Sequence, residues 1–136
     1  MRVLVDTSAW IDHINAYASP EAVALADLLA GDDDICTCGV IVAEVLQGLR
    51  RPAGYARVRD GFADLTFLAP TGMQLYVRAA EIYRTLRKRG CTVRSTIDCL
   101  IAAIAEENRC HLLHRDNDLR EIAESGIVDL PRWPGA

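Results

Sequence analysis

Four acidic residues in this chain stand where a ligand would be held. Asp6 ends the apolar run Val3-Leu4-Val5, and Glu44 sits between Val40-Ile41-Val42-Ala43 and Val45-Leu46. Asp98 falls three residues after Ser95, and Asp116 follows Cys110-His111-Leu112-Leu113-His114. Carboxylates brought together must be compensated, because two unit charges about 4 Å apart repel by about 4 kcal/mol at an effective dielectric near 20. Either protons or a cation resolves such a cluster. Oxygen donors without clustered His or Cys select a hard ion, Mg²⁺ or Mn²⁺, with water and a substrate phosphate completing the shell. The chemistry such a site supports is phosphodiester hydrolysis, in which the metal acidifies a water, orients it in line with phosphorus and offsets the developing charge. Thr7, Ser8, Ser95 and Thr96 adjoin the acids and are placed to orient water or carboxylate oxygens around them.

Each acid also has a plainer reading. Asp6 or Ser8 can cap the helix that follows the first strand. Ser95-x-x-Asp98 resembles a capping box with a shortened acid, and Asp118-x-x-Glu121 fits that motif better, which makes Asp118 primarily a helix cap. Asp116 fits an ordinary turn. Glu44 is different, since a carboxylate among apolar neighbours is costly unless something pairs with it. Once Glu44 is taken as functional, Asp6 becomes its partner in a shared cation site, and the capping role suits Ser8 better than Asp6.

The elements that must position these residues alternate. Residues 2–5, 35–38, 65–69 and 110–114 read as strands, the first without polar alternation and so covered on both faces. Helices are expected over residues 8–14, 20–30, 40–49, 55–63, 73–89 and 95–108, and Asp116-Asn117-Asp118 turns the chain into a last helix through Ala123. Ser19-Pro20 marks a start, while Gly31, Pro52 with Gly54, and Gly90 mark breaks. Residues 127–136 read as an added edge strand before Pro131 and Pro134 end regular structure. This alternation predicts a three-layer α/β/α fold with a short, mainly parallel sheet. In such sheets ligands collect at the carboxyl ends of the strands, where Asp6, Glu44 and Asp116 converge and the first turn of the Asp98 helix can face them.

At 136 residues, 51% hydrophobic and 25% charged, the chain is expected to form one domain, residues 1–136, with a real core. No apolar run approaches the roughly 20 residues that span a bilayer, and the start carries no signal-peptide pattern, so a cytoplasmic protein is expected. Five scattered cysteines suit reduced core thiols, and Cys36-Thr37-Cys38 has the wrong spacing for zinc. The net charge is −4, yet residues 50–59 hold four arginines and no acid, and residues 78–94 hold six bases against Glu81 alone. Fourteen of the fifteen bases are arginine, the side chain suited to forked phosphate contacts, which keeps a nucleic acid among the expected partners.

Four motifs in order, V-D-T-S-A-W-I-D, V-x-A-E-V-x-x-G-L, S-T-I-D-C-L-I-A-A and L-L-H-R-D-N-D-L, cover nearly the whole chain. Together they resemble the PIN-domain ribonucleases, specifically the VapC-type toxins of bacterial toxin–antitoxin pairs. The resemblance implies a PIN-like fold and a metal site of Asp6, Glu44, Asp98 and Asp116, with Asp118 as an auxiliary ligand in some members. It further implies Mg²⁺- or Mn²⁺-dependent endonucleolytic cleavage of structured RNA, such as tRNA or rRNA, leaving 5′-phosphate and 3′-hydroxyl ends. A homodimer silenced by a small VapB-type antitoxin completes the expectation. Leu119 departs from the family pattern, which often has an aromatic residue there. Arg87, Lys88, Arg89 and Arg94 precede the Asp98 helix and are expected to hold RNA phosphates beside the metal.

Two other classes bear on the same residues. A PIN-like module that binds RNA or protein without turnover would have no need to retain all four acids. A phosphoryl-accepting receiver domain shares the acidic pocket, but its acid pair before the first helix and its late-strand lysine have no counterpart, Lys88 being the only lysine.

Overall fold

In the computed structural model, which describes residues 1–134, the chain begins with β1 (Arg2–Val5), α1 (Thr7–Ile14), α2 (Pro20–Ala30) and β2 (Asp34–Thr37). It continues through α3 (Gly39–Gln47), α4 (Pro52–Phe62), β3 (Thr66–Phe67) and α5 (Met73–Lys88), and ends with α6 (Thr96–Glu107), β4 (His111–Leu113) and α7 (Asn117–Glu124). The four strands pair in parallel in the order β3-β2-β1-β4, with Val3 opposite Ile35 on one side and His111 on the other. β1 is therefore central, and Val3, Leu4 and Val5 are fully buried, as a run apolar on both faces requires.

The order of the strands fixes the layers. From β1 the chain steps to β2 and then β3 through α1 to α4, and right-handed crossovers put these helices on one face. It then returns past β1 to β4 through α5 and α6, which cover the other face, with α7 packed on α6. The result is the three-layer α/β/α arrangement with an all-parallel sheet. α6 is its central helix, burying Cys99 and the unbroken stretch Ile101 to Ala105, where three alanines admit close packing. Cys36 and Cys38 are both buried, so neither thiol faces solvent.

Local signals explain most of the boundaries. Ser19 caps α2, its hydroxyl oxygen accepting the Ala22 N–H at 3.1 Å, with Pro20 at the first helical position. α5 stops at Gly90, whose φ of +79° is left-handed, and the Cys91 N–H returns to the Leu86 carbonyl at 2.9 Å. Pro52, expected to mark a break, instead opens α4: its fixed φ and missing N–H suit the first turn. The expected edge strand after α7 does not form among the described residues. Trp133 Nε1–H donates to the Leu112 carbonyl at 3.2 Å, and His111 Nε2 lies 3.0 Å from the Arg132 carbonyl, so the tail meets β4 through side chains. Pro131 lacks the N–H that a paired strand would donate there. The remainder of that expected strand, residues 135 and 136, lies outside the described residues. No helix is long and apolar enough to cross a membrane among the described residues.

Candidate metal centre

The chain leaves β1 toward β2 on one side, while β4 lies on the other, so the carboxyl ends of β1 and β4 flank a topological switch point. Open parallel sheets bind ligands in this crevice. Asp6 and Asp116 stand immediately beyond those two strand ends, and α6, running back toward β4, begins near them with Asp98 in its first turn.

Asp6 is buried and is the N-cap of α1. Its Oδ2 accepts the Ser8 N–H at 3.1 Å and the Ser8 hydroxyl at 2.7 Å, leaving Oδ1 outside these bonds. This corrects the expectation that Ser8 is the cap. Ser8 lies within the helix and serves Asp6 through its hydroxyl, which also accepts the Arg115 backbone N–H at 2.9 Å. Glu44, on α3, is half-buried, and Thr7 donates its hydroxyl to Glu44 Oε1 at 2.9 Å. α1 thus supplies one hydroxyl to each of two acids.

The remaining acids come from α6 and α7. One carboxylate oxygen each from Asp98, Asp116 and Asp118 can be chosen so that all lie within 4.8 Å of one another. Asp116 is the N-cap of α7, its Oδ1 accepting the Leu119 N–H at 3.0 Å, while Asp118 Oδ2 accepts the Arg94 N–H at 3.2 Å. Asp118 is therefore not the cap expected from its spacing to Glu121, because the helix begins at Asn117 and turns Asp118 into its second residue. Burial, followed by the charges of Asp116, Asp6, Asp118 and Glu44, pushes the Asp98 carboxyl up to about 7. Asp6 and Glu44, expected as ligands of the same ion, thus act on Asp98 through their charge, while the group of oxygens close enough to share an ion among the described residues is that of Asp98, Asp116 and Asp118.

The donor set fits a hard divalent cation. Ligand distances of about 2.0–2.6 Å around Mg²⁺ or Ca²⁺ place its oxygens up to roughly 4–5 Å apart, the span seen for Asp98, Asp116 and Asp118. Mg²⁺ and Mn²⁺ both belong to this all-oxygen class. His114 adds a fixed support: Asp116 donates its backbone N–H to Nδ1 at 3.3 Å, and burial lowers the imidazole pKa, which keeps that nitrogen free to accept.

Among the other expected site residues, Ser95 caps α6 by accepting the Ile97 N–H at 3.0 Å, while Thr96 is exposed at the first helical position. The basic set divides. Arg94 lines a cleft of about 360 Å³ together with Asp116, Asp118, Arg115 and Arg120. Arg89 donates to the Ser125 carbonyl at 3.1 Å, Arg87 lies 5.9 Å over the Tyr83 ring, and Lys88 is exposed at the end of α5. Arg115 and Arg120 were not expected here, although Arg115 stands within the L-L-H-R-D-N-D-L motif. The buried Asp12 was missed as well. Its carboxyl, which burial alone would raise, is held below the usual range by hydrogen bonds from Arg115 and Ser19. Nothing local in the sequence reveals a pairing between residues 103 positions apart.

Comparisons with known proteins identify the family to which the chain is similar. The PIN domain family model matches residues 3–125. VapC ribonuclease Mb1587 of Mycobacterium bovis and ribonuclease VapC11 of Mycobacterium tuberculosis are each 36% identical over 122 residues, covering 89% of this chain and 91% of theirs. The structure of VapBC2 from Rickettsia felis, bound to a DNA fragment from their promoter, superposes with a TM-score of 0.68 at 19% identity, covering 98% of this chain and 99% of that one. With the family model spanning residues 3–125 and relatives 36% identical over most of both chains, this chain belongs to the PIN-domain family, among the VapC proteins.

Proposed function

We propose that the chain acts as a single PIN-like domain, residues 1–136, and is a metal-dependent endoribonuclease toxin. It cleaves structured RNA of the tRNA or rRNA class by hydrolysis and leaves 5′-phosphate and 3′-hydroxyl ends. The observation that carries this reading is the convergence of Asp98, Asp116 and Asp118 oxygens within 4.8 Å in the field of Asp6 and Glu44. Relatives named as VapC ribonucleases at 36% identity support it.

Asp98, Asp116 and Asp118 would hold a Mg²⁺ or Mn²⁺ ion, with Asp6 and Glu44 completing the acidic wall. When bound, such an ion neutralises phosphate charge and acidifies water. The chain's own groups hold this constellation in place. Ser8 fixes Asp6 through Oδ2, Thr7 fixes Glu44, and neutral His114 holds the backbone at Asp116. Arg94 and Arg120, which line the cleft, are suited to take phosphates on either side of the scissile bond. Water is the nucleophile, so the ribose 2′-hydroxyl takes no part and cyclic phosphate ends do not form.

A VapB-type antitoxin is the proposed silencing partner, a reading supported by the solved VapBC2 pair, and a cytoplasmic homodimer is the proposed assembly. Incubating the purified chain with tRNA and rRNA, with and without Mg²⁺ or Mn²⁺, tests the activity. Divalent-dependent cleavage with 5′-phosphate ends is expected. A PIN-like module that binds without turnover would leave the RNA intact in every condition.

A further inference from the structure

Arg115 connects α1 to the loop between β4 and α7 at two points. Its backbone N–H donates to Ser8 Oγ at 2.9 Å, and that hydroxyl in turn donates to Asp6 Oδ2 at 2.7 Å. Its guanidinium reaches one helical turn further along α1, where Nε donates to Asp12 Oδ2 at 2.6 Å and Nη2 to Asp12 Oδ1 at 3.0 Å. Ser8 and Asp12 are four residues apart and so share a helix face. The planar fork matches both carboxylate oxygens, a geometry that lysine cannot reproduce. Tyr17 packs against the guanidinium, with its ring centroid 5.2 Å from Cζ. Asp12 is 5% exposed, whereas the Arg115 side chain remains about half exposed.

We infer that the Asp12–Arg115 pair is a positioning clamp that fixes the spacing of Asp6 against Asp116 and Asp118. The residue after Arg115 is Asp116, and Asp116 caps the helix that carries Asp118. Holding residue 115 at both its backbone and its side chain therefore sets where those two carboxylates stand relative to β1. The inference rests on the cation-site reading above, and it assigns Arg115 to the protein rather than to the RNA.

Electrostatics separates this role from a simpler one. A positive charge beside the acids disfavours a cation by Coulomb repulsion, so removing Arg115 as a mere neighbour would strengthen metal binding. Loss of a clamp weakens it. A phosphate-binding arginine would lower RNA affinity and its salt dependence and leave metal affinity no weaker.

The test measures Mn²⁺ binding by electron paramagnetic resonance on the folded full chain, below the onset of unfolding, together with RNA binding and cleavage. The variants are Arg115→Gln, Arg115→Lys and the double variant Asp12→Asn/Arg115→Gln. The double variant has the net charge of the wild type and leaves no unpaired buried carboxylate, so it remains informative where Arg115→Gln alone does not fold. Expected results are Mn²⁺ affinity reduced about tenfold or more in Arg115→Gln and in the double variant, a lower kcat with KM within about twofold, and partial recovery in Arg115→Lys. Unchanged or tighter Mn²⁺ binding in the folded double variant overturns the clamp. A raised KM with intact Mn²⁺ binding overturns it in favour of an RNA contact. If wild type itself binds no Mn²⁺ and cleaves no RNA, the cation-site reading fails and the clamp fails with it. Wild-type binding and cleavage with unaltered variants reject the clamp alone.

Discussion

Asp98 carries the site's electrostatic tension in a single residue. Its carboxyl, near 7 instead of the ordinary value of 3.8, is raised first by burial and then by four acidic neighbours. The folded state therefore holds its proton more tightly than the unfolded chain does. The stability this contributes is complete below about 4 and is lost as pH rises to about 7. Asp98→Asn removes that loss. After discounting for solvent screening of a half-exposed group, about 1–2 kcal/mol is expected, raising the metal-free Tm at pH 8 by roughly 3–6 °C, read by thermal melts at pH 5 and 8. A melt that rises equally at both pH values would contradict the shift. Cation binding must also displace the Asp98 proton, so Mn²⁺ affinity should rise by up to about tenfold per pH unit below 7 and level off above it, as titration calorimetry at several pH values would read. The acids themselves were legible because strand ends and an apolar helix flagged them. The choice of cap was misjudged, with Ser8 favoured over Asp6 and Asp118 over Asp116, because which of several closely spaced polar residues caps a helix depends on its first turn, and sequence fixes that only to within a residue or two.

At the scale of elements, the site depends on how helices start and stop. α5 ends at Gly90, whose left-handed backbone lets the chain turn through residues 91–94 and bring the Arg94 N–H to Asp118. A Cβ at Gly90 would meet nothing within 4 Å, so the cost of Gly90→Ala is conformational only, about 1–2 kcal/mol or roughly a 3–6 °C lower Tm. Mn²⁺ affinity measured on the folded variant should stay within about twofold. The long helices and the β1 and β2 strands were readable because their apolar periods and caps agreed. The start of α4 and the C-terminal tail were misread for related reasons. Proline ends one kind of structure and begins another, and only packing decides which. In the tail, Trp133 and His111 supply contacts to β4 that backbone pairing was expected to make.

Across the whole molecule, an acidic chain presents arginines around its acidic cleft. Net charge −4 says little about this, because it sums over faces that RNA never meets. Arg94→Glu and Arg120→Glu should each weaken RNA binding and lower the slope of log affinity against log salt by about 1. Arg89, bonded to the Ser125 carbonyl, should matter less to RNA than Arg94 does. Equal losses at both positions, measured by fluorescence anisotropy at two salt concentrations, would contradict that division. That Asp98 and Asp116 meet was foreseeable from parallel topology, whereas Asp118, read from its spacing as a helix cap, joins them because α7 begins at Asn117. The Asp12–Arg115 contact was not foreseeable, since no local pattern marks it.

The most direct test is cleavage of RNA by folded Asp98→Asn protein over a Mn²⁺ titration beside wild type. The account predicts Mn²⁺-dependent wild-type cleavage with 5′-phosphate ends, and loss of at least about a hundredfold in the variant. Cleavage at wild-type rate by the folded variant, or cleavage by wild type that persists in excess chelator, would contradict it.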